Sequence, residues 1–296
     1  MKFISSSRIS AAALLLSTAF SHGQTLRVYP AIELVFPTTT NAIHQLESST
    51  DLTHWRQFGE PTTGTGQDFS LLVSTRGTGP RFFRLARPVT TEGLVAFYKF
   101  EGNASDWSTN GNHGIPSNVS LTTNRFGKAN AAYRFSGASD SIIRVPNSPS
   151  LNPTNALTLA AWVNFEAEGF ISARILMKGR YDLAFSDAGL AERRPGFTVQ
   201  TPAENLLLTP TPVTQAGKWH FIVGTYDGST MRLYVDGVQA AETPATGDIT
   251  PSSSDLIIGQ NSDNGEDIYK GIIDDIRIYN RALSPADITE LFQETE

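Results

Sequence analysis

The side chains best equipped for chemistry crowd into one stretch, Glu101 to Gly114 (EGNASDWSTNGNHG), where oxygen donors alternate with glycines. Glu101, Asn103, Asp106, Ser108 and Asn110, with the carbonyls that glycines leave accessible, are the hard donors of which a calcium ion takes about six to eight. Asp106 to Gly111 follows the first half of an EF-hand loop. The twelfth position, however, is Ser117 rather than a bidentate Glu, and no flanking helices are expected. A second oxygen-rich stretch, Asn261 to Asp267, reads first as an exposed turn and second as a rim site for a ligand or metal. Glu166 and Glu168 sit two apart and so share one face of a strand, as the carboxylate pair of a retaining glycoside hydrolase must, about 5 Å apart. Phe170 takes the next position on that face, so no third acid follows.

Other catalytic chemistries lack their parts. There is no cysteine and no Gly-x-Ser-x-Gly, and His44, His54, His113 and His220 are scattered without zinc spacing. Gly64-Thr65-Gly66 and Gly77-Thr78-Gly79 lack the spacing and helix of a phosphate loop. Binding is therefore expected rather than catalysis. A sugar site needs a bare flat ring beside hydrogen-bonding groups. Trp107, Tyr181 and Tyr269, with Phe170 and Tyr226, fall in or near loops, and Arg180, Asp182 and Asn261 are polar partners for them. Trp107 and Tyr181 are the favoured platforms, whereas Trp162 and Trp219 sit mid-strand among apolar neighbours and read as core.

The elements that must position these residues are strands. Gly217 to Glu242 reads as a β-hairpin, with Asp227 to Thr230 as its turn and Asp236-Gly237 as the next. Alternation puts Trp219, Phe221, Val223 and Thr225 on one face, expected toward the core, and His220, Ile222, Gly224 and Tyr226 on the other. Short β-rich runs between Gly, Pro, Asn and Asp clusters recur throughout, so the fold class is all-β, an antiparallel two-sheet sandwich or jelly roll. In GIIDDIRIYNRALS, alternation places Asp274 beside Ile272, Ile276 and Ile278; either it lies under an apolar face with a partner, or a bulge re-aims it. Ser284-Pro285-Ala286-Asp287 has the cap, the first-turn proline and the acid of a helix start, with Ile288, Leu291 and Phe292 as its apolar stripe.

Four segments are expected: a signal peptide at 1–23, a small β module at 24–88, a linker at 89–92 and the larger domain at 93–296. Lys2 and Arg8, the apolar run Ala11 to Phe20 and the small residues before Gln24 occur in the order that export requires. The product would be secreted, periplasmic or displayed at the cell surface, with no transmembrane segment after cleavage. In the small module Trp55 is expected to pack against Phe82, Phe83 and Leu85. From Thr91 to Glu296 there are 15 Lys and Arg against 24 acids, a charge of −9 that disfavours nucleic acid as a partner.

FYKFEGNASDWSTNGNHG, FSGASDSIIRVPNSPSLNPTNALTLAAWV, KWHFIVGTYDGSTMRLYVDG and GIIDDIRIYNRALSPADI, in that order, resemble the laminin-G-like, concanavalin A-like lectin/glucanase superfamily over about Gly93 to Phe292. The resemblance implies a jelly roll of two antiparallel sheets, usually non-catalytic, that binds carbohydrate or a cell-surface protein. It also implies a structural Ca²⁺ joining an early loop to an Asp of the final strand, which makes Glu101, Asn103 and Asp106 with Asp274 the expected metal set. A structural or oligomeric envelope protein, and a divergent glycoside hydrolase acting through Glu166 and Glu168, are the competing readings.

Overall fold

The computed structural model describes residues 31–38, 43–51, 56–59, 62–74, 81–89, 91–167, 172–186, 191–202 and 205–294. The expected signal peptide, Trp55, Glu168 and Phe170 lie outside them. The chain divides into two compact units, Met1–Glu92 and Gly93–Glu296.

Among its described residues the first unit has six short strands, β1 (Ala31–Pro37), β2 (Ile43–Ser49), β3 (Arg56–Gln57), β4 (Thr62–Thr63), β5 (Asp68–Ser74) and β6 (Phe82–Val89). Strand β1 pairs with β5, and β2 pairs with β3, β4 and β6, all antiparallel. Phe36, Leu46 and Val73 are buried, Phe36 lying 5.2 Å from the Phe69 ring, and Glu47 pairs with Arg84 at 2.6 Å.

The second unit continues with β7 (Leu94–Tyr98), β8 (Ile115–Ser117), β9 (Val119–Thr122), β10 (Ala132–Ser136), β11 (Ile142–Val145), β12 (Leu157–Phe165), β13 (Ala173–Lys178), β14 (Tyr181–Ser186), β15 (Glu192–Val199), β16 (Asn205–Leu208), β17 (Thr214–Gln215), β18 (His220–Tyr226), β19 (Thr230–Val235), β20 (Val238–Pro244), β21 (Leu256–Ile258), β22 (Lys270–Tyr279) and helix α1 (Pro285–Phe292). One sheet runs β20-β19-β18-β12-β22-β10-β9, with β7 also on β22; the other runs β16-β15-β14-β13-β21-β11-β8, with β17 on β15. This is the expected all-β jelly-roll sandwich of two antiparallel sheets. The inner faces meet in one apolar core that includes Tyr98, Phe135, Leu159, Phe165, Phe185, Phe197, Ile258 and Ile276.

The Gly217–Glu242 hairpin lies in the first of these sheets, but the expected facing is reversed. Ile222 and Tyr226 look into the core between the sheets, opposite Val235 and Met231 of β19, while Phe221 and Val223 look outward. Both faces of β18 are nevertheless buried, because α1 covers the outer one: Phe292 stacks at 5.6 Å from Trp162, with Ile288 and Leu291 beside it. A strand apolar on both faces carries no parity signal for which face meets the other sheet. Gly224 makes the approach of the second sheet possible, since a Cβ there would lie 2.3 Å from the Phe197 ring. Helix α1 starts as its residues dictate: the Ser284 hydroxyl accepts from the Asp287 N–H, and the Asp287 carboxylate accepts from the Ser284 N–H.

Candidate functional site

The Glu101–Gly114 loop is ordered by Asp106. Its Oδ1 accepts from the N–H groups of Phe97 (2.9 Å) and Ser108 (2.8 Å), and its Oδ2 from the Ser108 hydroxyl (2.7 Å) and the Asn112 N–H (2.8 Å). An ionised carboxylate offers about four lone-pair sites, so all are taken. Asn112 extends the network, donating to the Val95 carbonyl and accepting from the Ser148 hydroxyl. Asn103 accepts from the Ser105 N–H, and Glu101 pairs with Lys128 at 3.2 Å on the surface.

Asp274 has a different partner from the one expected. It is buried, and the bulge in β22, where Asp275 has φ of +45°, turns it toward Arg125. The Arg125 Nη1 lies 3.1 Å from Asp274 and 2.5 Å from Asp275, and the guanidinium packs over Trp162 at 4.6 Å and Phe126 at 4.2 Å. Burial, then the neighbouring Asp275 carboxylate, hold Asp274 above the ordinary carboxylate range against the pull of Arg125. The set Glu101, Asn103, Asp106 and Asp274 thus does not fit a calcium ion. Asp106 has no free oxygen, an arginine supplies the cation beside Asp274, and among the described residues no three Asp, Glu or His side chains converge. Arg125 was invisible to sequence reasoning because it lies 149 residues from Asp274.

A groove lies on the outer face of the second sheet, whereas α1 packs on the first. Here β14 and β15 alternate plainly: Tyr181, Leu183 and Phe185 of β14 and Phe197 and Val199 of β15 enter the core. Asp182, Ala184, Ser186, Gly196 and Thr198 point outward into a groove of about 420 Å³, which Arg174 and Met177 of β13, Arg180, Gln200, Leu206 of β16 and Asp263 complete. Ala184 pairs with Gly196 across the two strands, and both are buried, the Leu208 side chain lying over Gly196. Asp182 pairs with Thr198, whose hydroxyl hydrogen-bonds it. The Arg174 guanidinium lies 3.7 Å from Asp182 and 3.4 Å from Asp267, too far at Asp182 for a hydrogen bond. Burial therefore dominates and pushes the Asp182 carboxyl up to about 6. Arg180 donates to the Gln200 side-chain carbonyl, and the Gln200 N–H returns a 2.7 Å bond to the Arg180 carbonyl.

Of the residues expected to bind a ligand, the groove brings together Arg180 and Asp182. Tyr181 and Tyr269 are corrections: both rings are core, their hydroxyls donating to the carbonyls of Leu151 (3.0 Å) and Ile272 (3.2 Å), so neither offers a face to a sugar. Tyr226 is likewise buried. Asn261 turns inward on its own loop, accepting from the Asp263 N–H, and acts by shaping the segment that delivers Asp263. Trp107 is 54% exposed but stands on the Asp106 loop with the Lys99 ammonium 4.9 Å from its ring, and does not line the groove. Glu166 is engaged by Arg134 and Lys270. Asp263 falls in the Asn261–Asp267 stretch read as a possible rim site, whereas Arg174, Thr198, Gln200 and Leu206 were missed, although the two-residue alternation of YDLAFS and GFTVQ marks the outward set.

The family described as the concanavalin A-like lectin/glucanases superfamily matches residues 136–289. Domain 4 of AbnA, an extracellular GH43 arabinanase from Geobacillus stearothermophilus, solved in complex with arabinotriose, is similar at 21% identity and a TM-score of 0.55, over 68% of this chain and 98% of that one. The binding domain of Paraclostridial Mosquitocidal Protein 1 aligns at 17% identity and 0.54, over 68% of this chain and 52% of that one. Botulinum neurotoxin type C, reported with cell entry dependent on two ganglioside molecules, aligns at 16% and 0.51, over 68% and 51%. These likenesses are of fold. No curated protein sequence matches the chain.

Proposed function

Because this chain belongs to the concanavalin A-like lectin/glucanases superfamily, we propose that its second unit binds a short oligosaccharide in the groove of the second sheet, without cleaving it. The observation that carries the reading is the groove itself. Its lining mixes donors (Arg174, Arg180, Thr198) with acceptors (Asp182, Gln200, Asp263), and Met177 and Leu206 stand at the two ends of the row that Asp182 and Thr198 occupy, so hydroxyl partners and aliphatic contacts alternate across it, as the polar edges and apolar faces of a sugar ring require. Among the described residues no aromatic side chain lines it, so the contacts these residues offer are hydrogen bonds and aliphatic ones. The structural likeness to a domain crystallised with arabinotriose supports the ligand class.

Against cleavage, Asp182 is shielded by Arg174, and Glu166, one half of the expected catalytic pair, is held by Arg134 and Lys270. The segment 1–23 supports export, and no helix among the described residues is long and apolar enough to cross a membrane. A glycan array probed with the full chain, followed by titration of the hits, tests the reading. Ser186→Trp, which fills the groove from its edge, should abolish binding while leaving the melting profile intact; Thr198→Trp, also half-buried in the lining, serves if the first variant does not fold. Undiminished binding in a folded groove-filled variant refutes the site.

A further inference from the structure

Resting on that groove as the binding site, we propose that its ligand is an acidic glycan, with the carboxylate of a uronic or sialic residue docked on Arg180. The second unit has 24 acids for 15 Lys and Arg from Thr91 onward, and its arginines are mostly paired with them: Arg125 with Asp274 and Asp275, Arg134 with Glu166, Arg144 with Asp255, Arg174 with Asp182 and Asp267. Arg180 departs from this pattern. Among the described residues its only hydrogen-bond acceptor is the neutral Gln200 amide, and no carboxylate comes within the 4.0 Å of an ion pair.

A cation left on a neutral acceptor in a groove keeps its charge available. The mutual bonds between Arg180 and Gln200 hold the guanidinium in place before a ligand arrives, which lowers the ordering cost of binding. The planar fork of donors matches a carboxylate in a way that a lysine would not. The groove's formal charges balance, Arg174 and Arg180 against Asp182 and Asp263, so the anion site is local to Arg180: Arg174 is shared between Asp182 and Asp267, whereas no described carboxylate lies within ion-pair reach of Arg180. Asp182 and Asp263 are then acceptors for hydroxyls, so the groove is polarised, with an anion site at Arg180 and hydroxyl sites beside it.

The test is calorimetric titration of the full chain with trigalacturonate and 3′-sialyllactose, each against its methyl ester, which keeps the sugar and removes the charge. The acid forms should bind about tenfold or more tightly than the esters, as a charge-assisted hydrogen bond implies. That advantage should shrink with added salt. Arg180→Gln should abolish the difference between acid and ester, and Arg180→Lys should retain part of it. Equal binding of acids and esters, both lost in Ser186→Trp, overturns the acidic ligand and keeps the groove. Binding of either form that survives Ser186→Trp overturns both, and failure of both acids to bind while neutral sugars do overturns the role of Arg180.

Discussion

Replacing Arg125 with Met tests whether an internal cation, rather than a bound one, neutralises the buried acid of the final strand. The aliphatic stem of Met keeps much of the contact with Trp162 and Phe126, so the change removes mainly the charge 3.1 Å from Asp274. Asp274 and Arg125 side chains are 2% and 7% exposed, and stripping one partner from such a pair costs about 3–5 kcal/mol. For a domain of this size the loss corresponds to a melting shift on the order of 10 °C. The penalty has a definite pH sign. Burial and Asp275 already hold Asp274 above its unfolded value, and without Arg125 it rises further. A raised carboxyl binds more protons in the native state, so stability falls as pH climbs from the unfolded carboxylate value through the folded one. Arg125→Met should therefore lose more at pH 8 than at pH 5, as read by urea unfolding at both. Adding Asp274→Asn to Arg125→Met should recover part of the loss, because no uncompensated charge remains. A loss under about 1 kcal/mol at pH 8, or a wild-type melting temperature that EDTA lowers and Ca²⁺ restores, refutes the reasoning.

Asp106→Ala leaves the N–H groups of Phe97, Ser108 and Asn112 without their acceptor; a destabilisation of about 3 kcal/mol or more is expected in chemical denaturation, and less than 1 would show that the loop is ordered by other means. Asp182, held up to about 6 by burial, should favour folding below about pH 4 and lose that contribution as pH rises through 6. Asp182→Asn should flatten the stability profile in that window, and an unchanged slope counts against the assigned burial. Gly224→Ala should cost about 1–3 kcal/mol by driving a methyl group into Phe197, and a neutral effect in a melting assay would mean that the sheets are less closely packed there than described.

What could be read from the residues was local physics. The capping box at Ser284, the Asp236-Gly237 turn and the strand runs each depend on neighbours within a few positions, and the sandwich follows from them. Asp274 shows the limit: its place in an apolar alternation announced a partner, but a partner 149 residues away leaves no pattern in a single chain. The groove was half legible. Arg180 and Asp182 were found by residue type, while Tyr181 was chosen for its ring although its parity with Leu183 and Phe185 assigns it to the core. Which face of β18 receives α1 could not be read at all, because both are apolar enough to do so.

The most direct measurement is a crystal structure of the full chain soaked with the tightest oligosaccharide from the array. The account predicts a sugar in the groove of the second sheet, within hydrogen-bonding distance of Arg180, Thr198 and Gln200. A sugar stacked instead on Trp107, with the groove filled only by solvent, contradicts it.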